Sequence, residues 1–413
     1  MKHTRARAGG FGSLPAAWIG VVAAGGVLSA MSAPGQTAGL SVFTDPIIAG
    51  LGISRSAVSL SYLIGTLAGA LALPFLGRAM DRWSIRATIA GIGLAFAAFL
   101  FGLSLAVDAT GLTLGFTGIR MAGQGALSLA ATTLVARSVT RHRGLALGIA
   151  SAIGSGGISI APFALSGLVA EVGIQTTWRL EALAVLCIVV PTALLLRPRP
   201  RQAAPVPSSG SPGAEPGGGW TLAQAARTGM FWTLVAGLSA TGLLSTALAF
   251  HQISVLGAQG LGPVEAAANF LPQTISGIAA TLGAGALADR IPPKYCVAFS
   301  MATMASALLL IPAVAPGWAA IAYGLVLGAA GGSLRGIEAA AFSRYYGTVH
   351  IGSIRGFATS IGLASTAAGP LLLSVGHDLA GDYTGPALVF AILPLVVGIV
   401  SLVVPEPRLP AVP

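Results

Sequence analysis

Twelve apolar runs follow one another along this 413-residue chain, each near the roughly twenty residues that a bilayer crossing requires. They fall at about 15–41, 56–76, 86–107, 111–136, 144–170 and 176–197, then at 229–256, 263–284, 294–313, 317–341, 354–375 and 384–404. Between them the connections are short. With 54% of residues hydrophobic and only 8% charged, the chain lacks the polar surface of a soluble protein of this length. The 57 glycines are scattered through the runs, as suits membrane helices that pack backbone against backbone. The expected fold class is an all-α membrane protein of twelve transmembrane helices, with the lipid bilayer as its surroundings.

The longest interruption, from Arg197 to Trp220, is rich in proline, glycine and serine and offers nothing to build a core from. It divides the chain into an expected six-helix bundle over 1–197, a linker over 198–228 and a second six-helix bundle over 229–413. Within the linker, Thr221 to Thr228 reads as a short amphipathic lead-in to the membrane. At the other end, Lys2, Arg5 and Arg7 precede an apolar run from Leu14 to Ala33. That run is too long for a signal-peptide core and continues through Pro34 and Gly35 to about Leu40, so it reads as a retained first helix with a local break.

The formal charge of +10 does not point to nucleic acid, because the cations form no stripe and no aromatic-rich patch. All but four of the 22 lysines and arginines fall on the termini, the linker and the even-to-odd connections; the four are Arg55, Arg120, Arg179 and Arg335. The opposite connections hold mostly acids: Asp45, Asp108, Glu171, Glu265, Asp378 and Asp382. The positive-inside rule then places both termini and the linker in the cytoplasm, with the chain in the inner membrane. Cys187 and Cys296 sit inside apolar segments without metal-ligand spacing and read as packing residues.

The two halves repeat one another. Gly77 to Arg86 and Gly285 to Lys294 each give a charged turn with the order Gly, three residues, Asp, Arg. Arg143-Gly144 opens the fifth run and Arg355-Gly356 the eleventh, with Pro162 and Pro370 late in those runs. A parallel repeat sets two similar bundles about an axis along the membrane normal and puts a substrate site at their seam, near mid-membrane.

These turns resemble the signature loop of the major facilitator superfamily, carried here by Gly77, Asp81, Arg82 and Arg86 and again by Gly285, Asp289 and Arg290. Arg120 to Gly125 is similar to that superfamily's fourth-helix motif, and Gly148 through Gly154, Gly157 and Pro162 to its glycine-rich fifth helix. Pro34 to Thr37, Asp45-Pro46, Tyr62 to Thr66 and Gly352 to Gly356 resemble the monocarboxylate and oxalate/formate porter branch. The resemblance implies alternating access by two six-helix bundles. It implies a small organic anion such as a monocarboxylate as the solute. The branch typically keeps a substrate-binding arginine in the eighth helix; here that helix reads Ala267 to Gln273 without charge, and the eleventh helix lacks a buried lysine.

A cation at mid-membrane costs about 2.5 to 3.5 kcal/mol on insertion scales, which makes Arg120 the first candidate for holding substrate. Its structural alternative is to hydrogen-bond helix carbonyls and lock the bundle. Gln36 and Thr37 follow the Pro34-Gly35 break, where freed backbone groups can meet a ligand. Asn269 and Gln273 share one face of the eighth helix and could replace a missing arginine with neutral hydrogen bonds, or simply pack. Arg335 and Glu338, three apart, are expected to pair within the tenth helix, with Arg335 a candidate substrate ligand and Glu338 a candidate proton carrier. His251, expected near a cavity mouth, is the second proton-coupling candidate. Gly77, Asp81, Arg82, Arg86, Gly285, Asp289 and Arg290 are expected to gate, through charge pairs weak enough to break on each cycle.

The chain has no phosphate-binding glycine-rich lysine loop, no His-Glu-x-x-His run and no serine nucleophile motif. Neither an enzyme nor a direct ATP-driven pump is expected, and no cofactor, metal or obligate protein partner is implied. Symport or exchange of an organic anion, with or without a proton, is the leading expectation. Proton-antiport efflux of amphipathic drugs or metabolites is the alternative, and a membrane sensor a remote third.

Overall fold

The computed structural model describes residues 16–139, 142–196 and 220–407, apart from the side chains at 16, 17, 74, 81 and 339. The cations at 2, 5 and 7 and the linker over 198–219 lie outside the described residues. Everything described is helix or short connection. Among the described residues, ten helices are long and apolar enough to cross a membrane. One of these, Arg143–Leu195, is two crossings: at Gly173 the backbone turns to φ 77° and ψ 170°, a conformation open to glycine, and the chain folds back. A further crossing over 109–138 is interrupted by a wider helical turn. The described residues thus make twelve crossings.

We label them in order. The first half comprises α1 (Trp18–Ser41), α2 (Arg55–Arg82), α3 (Ile85–Leu103), α4 (109–138), α5 (143–172) and α6 (174–195). The second comprises α7 (Gly229–Phe250), α8 (Pro263–Ala288), α9 (Pro293–Ala313), α10 (Trp318–Tyr346), α11 (Ile351–Ala380) and α12 (Thr384–Val403). An even number of crossings returns the chain to its starting side, here the terminal end; the opposite side is the far end.

Local chemistry sets where helices begin. The side chains of Ser54, Ser84 and Asp108 accept from the backbone N–H groups of Ala57, Ala87 and Gly111, opening α2, α3 and α4. Thr221 and Gln224 form a reciprocal capping box on the short helix Leu222–Ala225, at the predicted lead-in. In α1 the helix stops at Ala30, tightens into a 3-10 turn over Ala33–Gly35 and resumes at Thr37. Proline at 34 has no N–H to give a continuing helix, which accounts for the break.

The signature stretches are more helical than the sequence suggests. Gly77 to Arg82 belongs to α2, leaving Trp83 and Ser84 as the turn; Gly285 to Ala288 belongs to α8, leaving residues 289–292. Arg86 already lies in α3.

Buried apolar side chains cluster by half. One large core draws on residues from Leu28 to Ala193 and takes in Phe250 from the second half. Two others use second-half residues alone. Between α8 and α10 the contact is backbone against backbone. A Cβ on Gly324 would stand 2.7 Å from Asn269 Oδ1, and one on Gly328, Gly332 or Gly336 would press into the carbonyls of Gln273, Gly277 or Thr281. Four glycines at intervals of four thus let two parallel helices approach as closely as helices can.

Candidate functional site

The wider turn of α4, a π-helix over Arg120–Leu127, begins on the arginine. The α1 break packs into it: a Cβ on Gly35 would collide with the Ile119 carbonyl and stand 3.0 Å from both Gln124 N and Gly123 Cα. Isolated π turns of this kind recur at functional sites.

Arg120 is 2% exposed. Its Nε donates to Thr66 Oγ1 at 3.0 Å, and its Nη1 to the Gly35 carbonyl at 3.2 Å and Thr37 Oγ1 at 3.4 Å. The Tyr62 ring lies 4.3 Å from the guanidinium carbon, and its hydroxyl is 2.7 Å from Thr37 Oγ1. Thr66 in turn donates to the Tyr62 carbonyl. Arg120 forms no ion pair with a carboxylate among the described residues. The guanidinium is held by hydroxyl and carbonyl oxygens and by an aromatic face, and no carboxylate among the described residues balances its charge.

Of the other predicted substrate ligands, Thr37 joins this cluster directly. Gln36 points to a neighbouring group, donating to Ser32 Oγ at 2.9 Å and Ser128 Oγ at 3.4 Å. Asn269 and Gln273 are bonded to each other at 3.0 Å and to the second half's own frame: Asn269 Nδ2 to the Ala320 carbonyl, Gln273 Nε2 to Gln252 Oε1. Arg335 runs along α8, its Nη2 3.4 Å from where a Cβ on Gly277 would stand.

The expected Arg335–Glu338 pair is not formed. Glu338 Oε1 instead meets Arg355 Nη2 of α11 at 3.2 Å and Nε at 3.4 Å, because the neighbouring helix presents its guanidinium directly to the carboxylate. Arg335 therefore has no ion-pair partner among the described residues. His251 is also placed differently from expectation: it caps the end of α7, fully buried where α2, α7 and α11 meet, and not at a cavity mouth. Its Nε2 donates to the Pro370 carbonyl at 3.0 Å and lies 3.4 Å from Ser59 Oγ, and its Nδ1 has no described partner.

Among the predicted gating residues, Arg86 makes a contact other than the one expected. Arg86 Nη2 donates to the Leu194 carbonyl at 2.6 Å, capping the end of α6. Arg82, Asp289 and Arg290 are exposed and form no ion pair among the described residues. The Asp81 side chain lies outside the described residues. Gly285 packs on Gly336, while Gly77 faces open space.

The hydrogen bonds and ion pairs that join the two halves gather instead toward the far end. Asp45 pairs with Arg55 at 2.8 Å, and both its oxygens accept from Ser254 Oγ, at 2.8 and 2.7 Å. Arg55 Nη1 also donates to Ser254 Oγ at 3.0 Å, and the same guanidinium lies 5.6 Å from the Tyr383 ring. Ser56 hydrogen-bonds Asp378, Ser59 meets His251, and Ser159 meets Thr274. A cavity of about 370 Å³ at this latch is lined by Asp45, Arg55, Ser254, His377 and Tyr383, among others. Burial pushes the Tyr383 phenol up to about 12. Sequence reasoning used Asp45 as a topology and family marker and Arg55 as a topology marker, and gave neither a site role. It quoted Tyr62 only within a family motif and passed over Glu181, whose carboxyl is buried in α6 with neither oxygen hydrogen-bonded among the described residues.

A sequence model described as Major Facilitator Superfamily matches residues 22–281. The chain belongs to that superfamily. This superfamily member is thus a multi-pass membrane transporter and not an enzyme. Its fold resembles a bacterial homologue of the human lysosomal transporter Spinster, in an inward-facing and occupied conformation, with a TM-score of 0.72 at 14% identity over 94% of this chain and 97% of that one. The same homologue, inward-facing and unoccupied, gives 0.68 at 15% over 94% and 95%. A point mutant of the nucleoside transporter NupG gives 0.71 at 15% over 92% and 99%. No curated protein sequence matches the chain.

Proposed function

We propose that this superfamily member is a secondary transporter for a small organic anion, with monocarboxylates the first class to test. Arg120 holds the carboxylate and the two six-helix bundles rock about it. The observation that carries the proposal is a buried guanidinium with no carboxylate partner among the described residues. Such a charge is costly to keep in a low-dielectric interior, and an anionic solute would offset that cost in the transport cycle. Arg335, likewise without an ion-pair partner, is the second cation that a solute in the seam would meet. Thr37 orients the bound group, while Gln36, Asn269 and Gln273 hold the walls.

His251 is the group we assign to proton coupling. With Nε2–H on the Pro370 carbonyl and Nδ1 bare, a proton taken at Nδ1 would place charge inside the far-end joint and favour its opening. Glu338, compensated by Arg355, is the weaker proton carrier. The termini and linker face the cytoplasm of the inner membrane by the charge asymmetry of the connections.

Uptake of labelled lactate, pyruvate and oxalate into proteoliposomes tests the reading, alongside a thermal-shift screen of organic acids. Uptake lost in Arg120→Ala supports it. Dye efflux without anion uptake would replace it with the export reading.

A further inference from the structure

Tyr62 touches the Arg120 cation, the α1 break and the opposite half at once. Its ring lies 4.3 Å from the guanidinium carbon, its hydroxyl 2.7 Å from Thr37 Oγ1 and its ring centroid 4.6 Å from that of Phe250. Phe250 is fully buried and belongs to the first-half core, although it ends α7 of the second half. The next residue is His251.

The α2 helix continues this contact toward the far end. Ser59, Ser56 and Arg55 precede Tyr62 by three, six and seven residues, spacings that put them along one side of a helix. Each engages the second half, through His251, Asp378 and Ser254 respectively. The anion site and the far-end latch are thus two ends of one helical stripe about two turns long.

We propose that Tyr62 is the positioning residue that ties occupancy of Arg120 to opening of the far end, which rests on the anion reading above. In the empty carrier the cation holds the ring face-on, because the face of an aromatic ring is its electron-rich side. The ring in turn holds Phe250, and the far end stays shut. An anion at the guanidinium neutralises the cation, so the ring loses its hold and the Tyr62–Phe250 seal loosens. The α2 stripe then releases its partners in order from Ser59 to Arg55.

Ser59, fully buried at the joint, reports the opening. In full-length protein with Cys187→Ser and Cys296→Ala, Ser59→Cys is labelled with a membrane-impermeant maleimide, without anion and with whichever of lactate, pyruvate or oxalate raises the Tm. The anion is expected to speed labelling about twofold to tenfold, the range that loss of one aromatic pair would give. Tyr62→Leu is expected to label fast with or without anion. Tyr62→Phe, which keeps the ring, is expected to restore the anion dependence, a rescue that a merely structural role would not require of the ring's face. Phe250→Ala serves as the second variant, with the same constitutive labelling expected. If no acid stabilises the parent, the anion reading falls; the anion-free rates still decide Tyr62. Equal anion-free rates in the parent, Tyr62→Leu and Phe250→Ala overturn the proposal.

Discussion

Asp45 and Arg55, ten residues apart, face each other at 2.8 Å across the far-end connection of the first half, and both Asp45 oxygens also accept from Ser254 of the second. A carboxylate that satisfies its own half's cation and also takes a hydroxyl from the other half is a junction that breaks when the halves part. With Asp45 partly exposed, its ion pair contributes on the order of 0.2 to 1 kcal/mol. A latch must cost little to open.

Asp45→Asn is therefore expected to shift the closed-to-open ratio at the far end by only about 1.5-fold to fivefold. Spin labels at the exposed Ala49 and Ala380 would read it as a longer-distance population. A change too large for one surface pair would show that Asp45 does more than latch.

The glycine seam predicts a sharper response. Gly332→Ala drives a methyl group into the Gly277 carbonyl of α8, where the neighbouring atom is backbone and cannot swing aside. Overpacking of this sort costs about 1 to 3 kcal/mol. The Tm of purified protein should fall by several degrees, whereas Gly283→Ala, with open space around it, should leave the Tm nearly unchanged.

The twelve crossings were readable because hydrophobicity over twenty residues is a local quantity, and so were the Pro34 break and the lead-in at Thr221. The pairing of Glu338 was not. Arg335 lies three residues before it and Arg355 seventeen after, and only the placement of α11 beside α10 decides between them. The same holds for Arg55 and Ser254, whose contact spans 199 residues of sequence. Arg120 was legible as a buried cation, since charge in an apolar run stands out; its aromatic partner was not, because Tyr62 fits an apolar helix as well as it fits a site. Whether the signature residues pair was not legible either. A motif shows which residues recur but not whether they pair or, like Arg86, cap a helix end.

Glu338 and Arg355 offer a test of that geometry. Because Arg355 is about two-fifths exposed, removing either partner should cost no more than about 1 kcal/mol. Glu338→Arg combined with Arg355→Glu should recover part of that loss in a double-mutant cycle read by thermal denaturation. Arg335→Ala should show no coupling with Glu338→Gln in the same cycle. If it does couple, Arg335 shares the carboxylate after all.

Replacing Arg120 by lysine separates charge from geometry. An ammonium keeps the positive charge but cannot donate from Nε to Thr66 while also reaching Gly35 and Thr37, and it lacks the flat face that lies on Tyr62. A hydrogen bond to a charged group contributes roughly 1.5 to 3 kcal/mol, so losing the fixed fork should weaken anion binding about tenfold to a hundredfold. The loss should appear as a higher KM for uptake with the maximal rate less affected, since the cation that draws the anion is still present. Arg120→Gln, which keeps a polar side chain but no charge, should abolish uptake. Equal uptake by the lysine and glutamine variants would mean that the charge itself is not what the solute meets, and Arg120 would then be a brace between α1, α2 and α4.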